Sequence, residues 1–396
     1  MLELLFLLLP IAAAYGWYMG HRSAKKDQDG ISNKLSRDYV TGVNFLLSNQ
    51  TEKAVDLFLD MLQKQETENE IGSSSQFEAE LTLGNLFRSR GEVDRALRIH
   101  QALDRSPNYS FEQKLLAKQQ LAKDFMAVGF FDRAESLYIL LVDEPEFAQG
   151  ALQQLVVIYQ KTKEWKKAIN VAEKLAKIAP NDNNVELAQL YCEYARTLNN
   201  ESKEKPEAIL QQALRVSPTC VRASMMLAEL AMKAKNYAAA VEFYENILQQ
   251  NPVYISEVVH KLKQCYQHLG QLDNFELFLI KATQIQPNST LELALADLIE
   301  QKDGVPAAQL KLYQQLKSHP TTQLFHRFIQ YQIDEAEQGR AKESLILLHK
   351  MVGERVKQNC RYRCIHCGYQ THKLIWNCPS CRQWESIKPV NSIDNE

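Results

Sequence analysis

Three hydrophobic patterns succeed one another along the chain. The first is continuous: from Leu4 to Gly20 no residue is charged. Together with Met1 to Glu3, this run approaches the roughly 20 residues that a helix needs to cross a bilayer. Pro10 is tolerable in such a helix, and Trp17 and Tyr18 suit a lipid–water interface. His21, Arg22, Lys25 and Lys26 come after the run, whereas Glu3 alone precedes it. That asymmetry predicts a retained anchor with the downstream chain in the cytoplasm. A cleaved signal peptide is the competing reading, but its positive charges would precede the apolar run.

The second pattern is periodic and fills the middle of the chain. Leu83-Gly84-Asn85-Leu86-Phe87 leads through Gly91 to Ala96, and Leu121-Ala122-Lys123-Asp124-Phe125 leads through Gly129 to Ala134. In both, a small residue is followed three positions on by an aromatic, then by Gly, then by Ala. The frame fits Gly42, Phe45 and Ala54, and Tyr159 and Ala168 ahead of Pro180. It returns at Ala228, Tyr237, Ala240 and Tyr244 ahead of Pro252, and at Ala296 and Ala308 ahead of Pro320. A weaker copy has Tyr266, Gly270 and Ala282 ahead of Pro287, and an irregular one lies between Ala195 and Pro218.

Small residues let two antiparallel helices approach closely, Gly or Asn reverses the chain between them, and Pro ends the pair. The pattern resembles the tetratricopeptide repeat, a helix–turn–helix unit of about 34 residues. The early spacing is wider: Ala54 to Ala96 is 42 residues and Ala96 to Ala134 is 38, so polar stretches such as Glu66 to Ser75 extend loops. The predicted fold is all-α, a repeat superhelix whose concave groove binds proteins. The last pair, around Phe325 to Tyr331 and Ala341 to Val352, fits the frame poorly and is expected to cap the array beneath the C-terminal segment.

The third pattern is short and rich in cysteine. Cys364-Ile-His-Cys367-Gly368 and Cys378-Pro-Ser-Cys381 are two C-x-x-C knuckles separated by ten residues. Four thiolates from two tight turns suit one tetrahedral metal ion. A pair of disulfides is the alternative. The other cysteines, Cys192, Cys220, Cys265 and Cys360, are scattered singly and point to a reducing compartment. Tyr362, Tyr369, Trp376 and Trp384 can cover a metal core too small to be stable otherwise. Arg361, Arg363, Lys373, Arg382 and Lys388 outnumber Glu385 here, which suits nucleic acid but equally offsets the thiolates.

Composition adds limits. The 396 residues carry a net charge of −2, so no global excess points to nucleic acid, and 14 glycines among many helix formers argue against a large sheet. Phosphate-loop, H-E-x-x-H and G-x-S-x-G signatures are missing from the sequence, and an enzyme is not expected. His100, His260, His268, His319, His326 and His349 stand alone and read as packed or surface residues. Asn85, Arg88 and Lys123 are candidates for a groove surface, with a solvated face as the default. The expected divisions are an anchor at 1–20, a linker at 21–34, the array at 35–357, the metal knot at 358–390 and a tail at 391–396.

The knuckles C-x-x-C-G and C-P-x-C resemble rubredoxin's, although Arg382 stands where rubredoxin has Gly and the ten-residue linker is far shorter. That departure favours zinc, with iron still compatible. Anchor, array and knot together resemble one bacterial family, lipopolysaccharide assembly protein B of the Gram-negative inner membrane. The most specific part is Arg361-Tyr-Arg-Cys364-x-x-Cys367-Gly368-Tyr369, then Trp376-x-Cys378-Pro379-Ser380-Cys381-x-x-Trp384, then Ile387-Lys388-Pro389.

What the resemblance implies is an adaptor that presents the lipid A pathway deacetylase to the FtsH protease, opposed by a membrane sensor of lipopolysaccharide. The knot, docked on the last helices, would then fix the array or share its contact surface. A general scaffold for envelope-synthesis enzymes, or a redox or RNA-binding module carried on repeats, are the alternatives. A homodimer is also compatible with the chain.

Overall fold

The computed structural model describes residues 38–45, 47–48, 50–67, 74–179, 184–198, 204–358 and 360–390. The expected anchor, linker and tail lie outside the described residues, as does Pro180. Among the described residues, no helix is long and apolar enough to cross a membrane. Two compact units divide the chain after Thr162.

In the first unit a helical stretch at 38–45 precedes α1 (Thr51–Thr67), α2 (Ser74–Ser89), α3 (Val93–Arg105), α4 (Phe111–Val128), α5 (Phe131–Val142) and α6 (Pro145–Thr162). Within this set each helix packs on the next, and α2 also packs on α4, as consecutive helix pairs stacked in order should. The boundaries follow from the sequence. At α4, Ser110 and Gln113 form a reciprocal capping box, and Gly129 ends the helix in the left-handed conformation at φ +82.

The small residues of the repeat frame sit where helices touch. Ala54, Ala96 and Ala134 are fully buried. A side chain on Gly42 would collide with the Phe58 ring, and one on Gly84 with the His100 ring. Phe77 packs edge-on to Tyr109 at 5.1 Å within one cluster, and Phe58, Leu83 and Phe87 belong to another.

The second unit continues with α7 (Trp165–Ile178), α8 (Asn184–Thr197), α9 (Pro206–Val216), α10 (Val221–Lys233) and α11 (Tyr237–Gln250). A 3-10 turn at Pro252–Glu257 leads to α12 (Val259–Leu269), α13 (Leu272–Ile285), α14 (Ser289–Asp303), α15 (Val305–Ser318), α16 (Thr322–Glu335) and α17 (Arg340–Gln358). Ala168, Ala240, Ala282 and Ala308 are again fully buried. The largest cluster here surrounds Tyr244, Tyr254, Leu262 and Phe275, and each such buried side chain contributes about 1.5–3 kcal/mol.

Most turns between paired helices use one residue with positive φ. Gly91 and Gly270 supply it as the frame predicts, but Lys163 and Lys235 adopt φ +61 and +58 at the equivalent places. The chain ends in a small antiparallel sheet ordered β2-β1-β3, with β1 at Tyr362–Cys364, β2 at Gln370–Thr371 and β3 at Ile387–Pro389. Arg363 sits between Gln370 on one side and Lys388 on the other.

Candidate metal centre

Each knuckle is a turn held by its own backbone. In the first, Gly368 N–H donates to the Cys364 carbonyl at 3.0 Å, and Cys364 N–H donates to the Tyr369 carbonyl at 2.8 Å. In the second, Arg382 N–H donates to the Cys378 carbonyl at 2.8 Å, and Cys378 N–H donates to the Gln383 carbonyl at 3.0 Å. The two turns are copies of one geometry. Gly368 has φ +77 and Arg382, its counterpart, has φ +60. Arginine therefore takes the conformation for which rubredoxin uses glycine, with the backbone strain that implies.

The turns aim four sulfurs at one point. All four Sγ atoms of Cys364, Cys367, Cys378 and Cys381 lie within 4.8 Å of one another. Cys364 and Cys381 are 3.7 Å apart, and Cys367 and Cys378 are 3.6 Å apart. A metal bound tetrahedrally at about 2.3 Å from each sulfur sets an edge of about 3.8 Å. The residues present thus fit a single tetrahedral ion. Cys364 and Cys378 are buried while Cys367 faces solvent, so the site is closed on the protein side.

The surroundings favour thiolates unevenly. Burial opposes ionisation of Cys364, but hydrogen bonds to Ser386 and to the backbone of Cys367 and His366 outweigh it and bring the thiol down to about 6. A backbone hydrogen bond at Tyr369 likewise lowers Cys367. At Cys381 the backbone of Gln383 favours the anion, yet burial and the three other sulfurs push it up to about 11. Four thiolates repel one another, and a cation at their centre removes that repulsion. Ser386 in turn donates to the Gln383 carbonyl at 2.9 Å and so is fixed behind the ligands. Cys360 stands apart from the cluster, 3.9 Å from His372 Nε2.

The sequence suggested a knot docked on the last helices, but the hydrogen bonds that tie it to the array go elsewhere. It lies against α8, α10 and the 3-10 turn. Tyr362 donates to Glu257 at 2.6 Å, Tyr254 donates to the Ile387 carbonyl at 3.1 Å, and Gln189 donates to Glu385 at 2.7 Å. Arg222, almost wholly buried, donates to Gln189 at 3.0 Å and to Glu193 at 2.6 Å, with its guanidinium 6.0 Å from the Trp376 ring. Trp376 also packs on Tyr254 at 5.4 Å, and Leu374 joins the same apolar cluster. The reason is burial: the knot's own core is four residues with three partly buried neighbours, and Tyr254 and its cluster supply the missing apolar wall. Burial pushes up the Tyr254 and Tyr362 hydroxyls and the Glu385 carboxyl.

The other candidates fall out differently. Arg88 is not a free groove residue, because it donates to Asn85 at 2.6 Å, Gln120 at 2.9 Å and Asp124 at 2.9 Å. Burial and Arg88 hold the Lys123 ammonium below its ordinary range. His100 is fully buried, as a packed histidine, with Nδ1 2.5 Å from Asp124 and Nε2 3.3 Å from the Leu81 carbonyl. Sequence reading missed Gln189, Arg222, Tyr254 and Glu257, since nothing in their own helices sets them apart.

Residues 362–389 match the rubredoxin metal binding domain, and residues 222–295 match the TT21 fifth ARM repeats domain. Over 395 residues the chain is 76% identical to lipopolysaccharide assembly protein B of Haemophilus influenzae, covering 100% of both chains. It is 50% identical to the protein of the same name from Escherichia coli, again over 395 residues and 100% of both. Among solved structures, a tetratricopeptide repeat protein from Parabacteroides merdae is 15% identical with a TM-score of 0.36, matching 66% of this chain and 97% of that one.

Proposed function

Because the chain belongs to the lipopolysaccharide assembly protein B family, we propose that it is an inner-membrane adaptor that restrains lipopolysaccharide synthesis. On this reading it holds the lipid A pathway deacetylase on its helical repeats and delivers it to the FtsH protease, under the control of a membrane sensor of lipopolysaccharide. The charge-free run from Leu4 to Gly20 anchors it, with the repeats in the cytoplasm, and so raises the effective concentration of a held client beside the protease.

The observation that carries this reading is the seam between the knot and the repeats. Cys364, Cys367, Cys378 and Cys381 would fill every position of a tetrahedral ion and leave none open for chemistry; they sit in a fold bonded onto α8 and the 3-10 turn and packed beside Arg222 of α10. The metal therefore sets the shape of a protein-binding scaffold. Zinc is the proposed ion, since a role in shape makes no use of redox change. Metal analysis of natively purified protein tests this, and a reversible, redox-active iron centre would count against it.

Two cell experiments test the adaptor. Deleting residues 1–20 should leave a folded, metal-loaded protein that no longer promotes turnover of the deacetylase; normal turnover would sink the tethering argument. Crosslinking in cells should recover the deacetylase and FtsH with the full chain, and recovery of envelope-synthesis enzymes without a protease would favour the scaffold reading instead.

A further inference from the structure

A stack of repeats needs a polar outer face on its terminal helix, because no further neighbour covers it. The helix α17 departs from that rule at two positions, Leu347 and Met351. None of its residues is buried, and its inward side, Lys342, Leu345, His349, Val352 and Val356, is half-covered by α16. At 100° per residue, the direction opposite that side is centred on Leu347. Leu347 and Met351 are each 60% exposed and Ile346 is 50% exposed. The cap foreseen for Ala341 to Val352 thus carries a narrow apolar stripe, Leu347 with Met351, set among exposed charges.

The charges beside this stripe say what covers it. Arg340 and Glu354 lie on the same line as Leu347, seven residues to either side, and Glu343 and Lys350 flank it. All four are exposed. If a second copy of α17 lies antiparallel about a two-fold axis at Leu347, residue 347−k meets residue 347+k. Arg340 then meets Glu354 of the copy, Glu343 comes beside Lys350, and Leu347 packs on itself with Met351 around it. A parallel pairing would set Arg340 on Arg340 and Glu354 on Glu354. The sequence of the stripe is complementary to itself in one direction only.

We infer that the outer face of α17 is an antiparallel, two-fold self-association surface centred on Leu347 that pairs two copies of this chain. With 19 residues, the helix is about 28 Å long and its face covers roughly 300 Å². Stable dimers bury about 800 Å² on each partner, so this contact is weak and reversible.

The test uses the full chain, purified in detergent, followed by sedimentation velocity across a concentration series. The wild type should pass from monomer to dimer. L347E should shift the midpoint at least tenfold to higher concentration, and R340E or E354R alone should weaken pairing several-fold. R340E combined with E354R should restore it. These side chains are exposed, so unchanged helical circular dichroism and metal content confirm that each variant is folded. A wild type that stays monomeric overturns the inference. So does a dimer indifferent to L347E, which would place the contact elsewhere, or a double swap that fails to restore pairing, which would leave the stripe to a different partner.

Discussion

Gln189 on α8 donates to Glu385 in the metal knot at 2.7 Å, across 196 residues of sequence. The same amide accepts from Arg222 at 3.0 Å, so one side chain joins the knot to two first helices of the array. Gln189→Ala should leave the buried Arg222 and the half-buried Glu385 short of partners. Losing a hydrogen bond to charged buried groups costs about 1.5–3 kcal/mol. Amide exchange over 362–389 should accelerate while the helices before Thr162 stay protected, and unchanged exchange in the knot would refute the seam.

Removing the metal should act on the same seam. Strong chelation, or Cys378→Ser, is expected to abolish one bound ion per chain and to disorder 362–389. Trp376, now packed on Tyr254, should then shift its emission towards that of a solvated indole. Far-UV circular dichroism should keep most of its helical signal. An apo protein whose knot still resists proteolysis would overturn the clasp.

In the first unit the risk lies in a buried charge cluster. Asp124 is fully buried between Arg88 at 2.9 Å and His100 at 2.5 Å. Asp124→Ala strands both partners, and breaking a buried pair from one side costs about 3–5 kcal/mol. Denaturant unfolding followed in residues 38–162 reads this directly; a loss under about 1 kcal/mol would show the cluster to be solvated.

Glu292 on α14 gives stability a pH dependence. Burial raises its carboxyl from 4.5 to about 7, with Lys311 opposing. Below pH 4.5 the group is protonated whether folded or unfolded. Between 4.5 and 7 the unfolded chain ionises and the folded one resists, so stability falls as pH rises through that window. The shift corresponds to about 2–3 kcal/mol at neutral pH. Glu292→Gln should stabilise the protein by about 2 kcal/mol at pH 7 and flatten the slope, which urea unfolding at a series of pH values measures.

What the sequence made legible was local. The alanines of the repeat frame are buried because close helix contact admits no larger side chain, and that constraint repeats at Ala54, Ala96, Ala134, Ala168, Ala240, Ala282 and Ala308. The clustering of the four cysteines was legible because both knuckles fit within 18 residues, where spacing decides geometry. The seam was not. Gln189, Tyr254 and Glu257 find partners in the knot 105 to 196 residues away, Arg222 lies beneath Trp376, and within their own elements all four look like ordinary positions. Arg88 misled for the same reason, since a lone charge in a helical pattern reads as solvated. Lys163 and Lys235 show the opposite case, where position rather than residue type dictates a left-handed turn.

The bond from Tyr254 to the Ile387 carbonyl spans 133 residues, and it puts a clock on the birth of the molecule. Ribosomes extend chains at about 5–20 residues per second, so Tyr254 emerges roughly 7–27 seconds before its acceptor does. During that interval Tyr254 has neither the Ile387 carbonyl to bond nor the Trp376 ring to pack on. The wall around Tyr254 therefore closes only after a further 133 residues have been made, and a chain cut between Tyr254 and Ile387 keeps that apolar flank open.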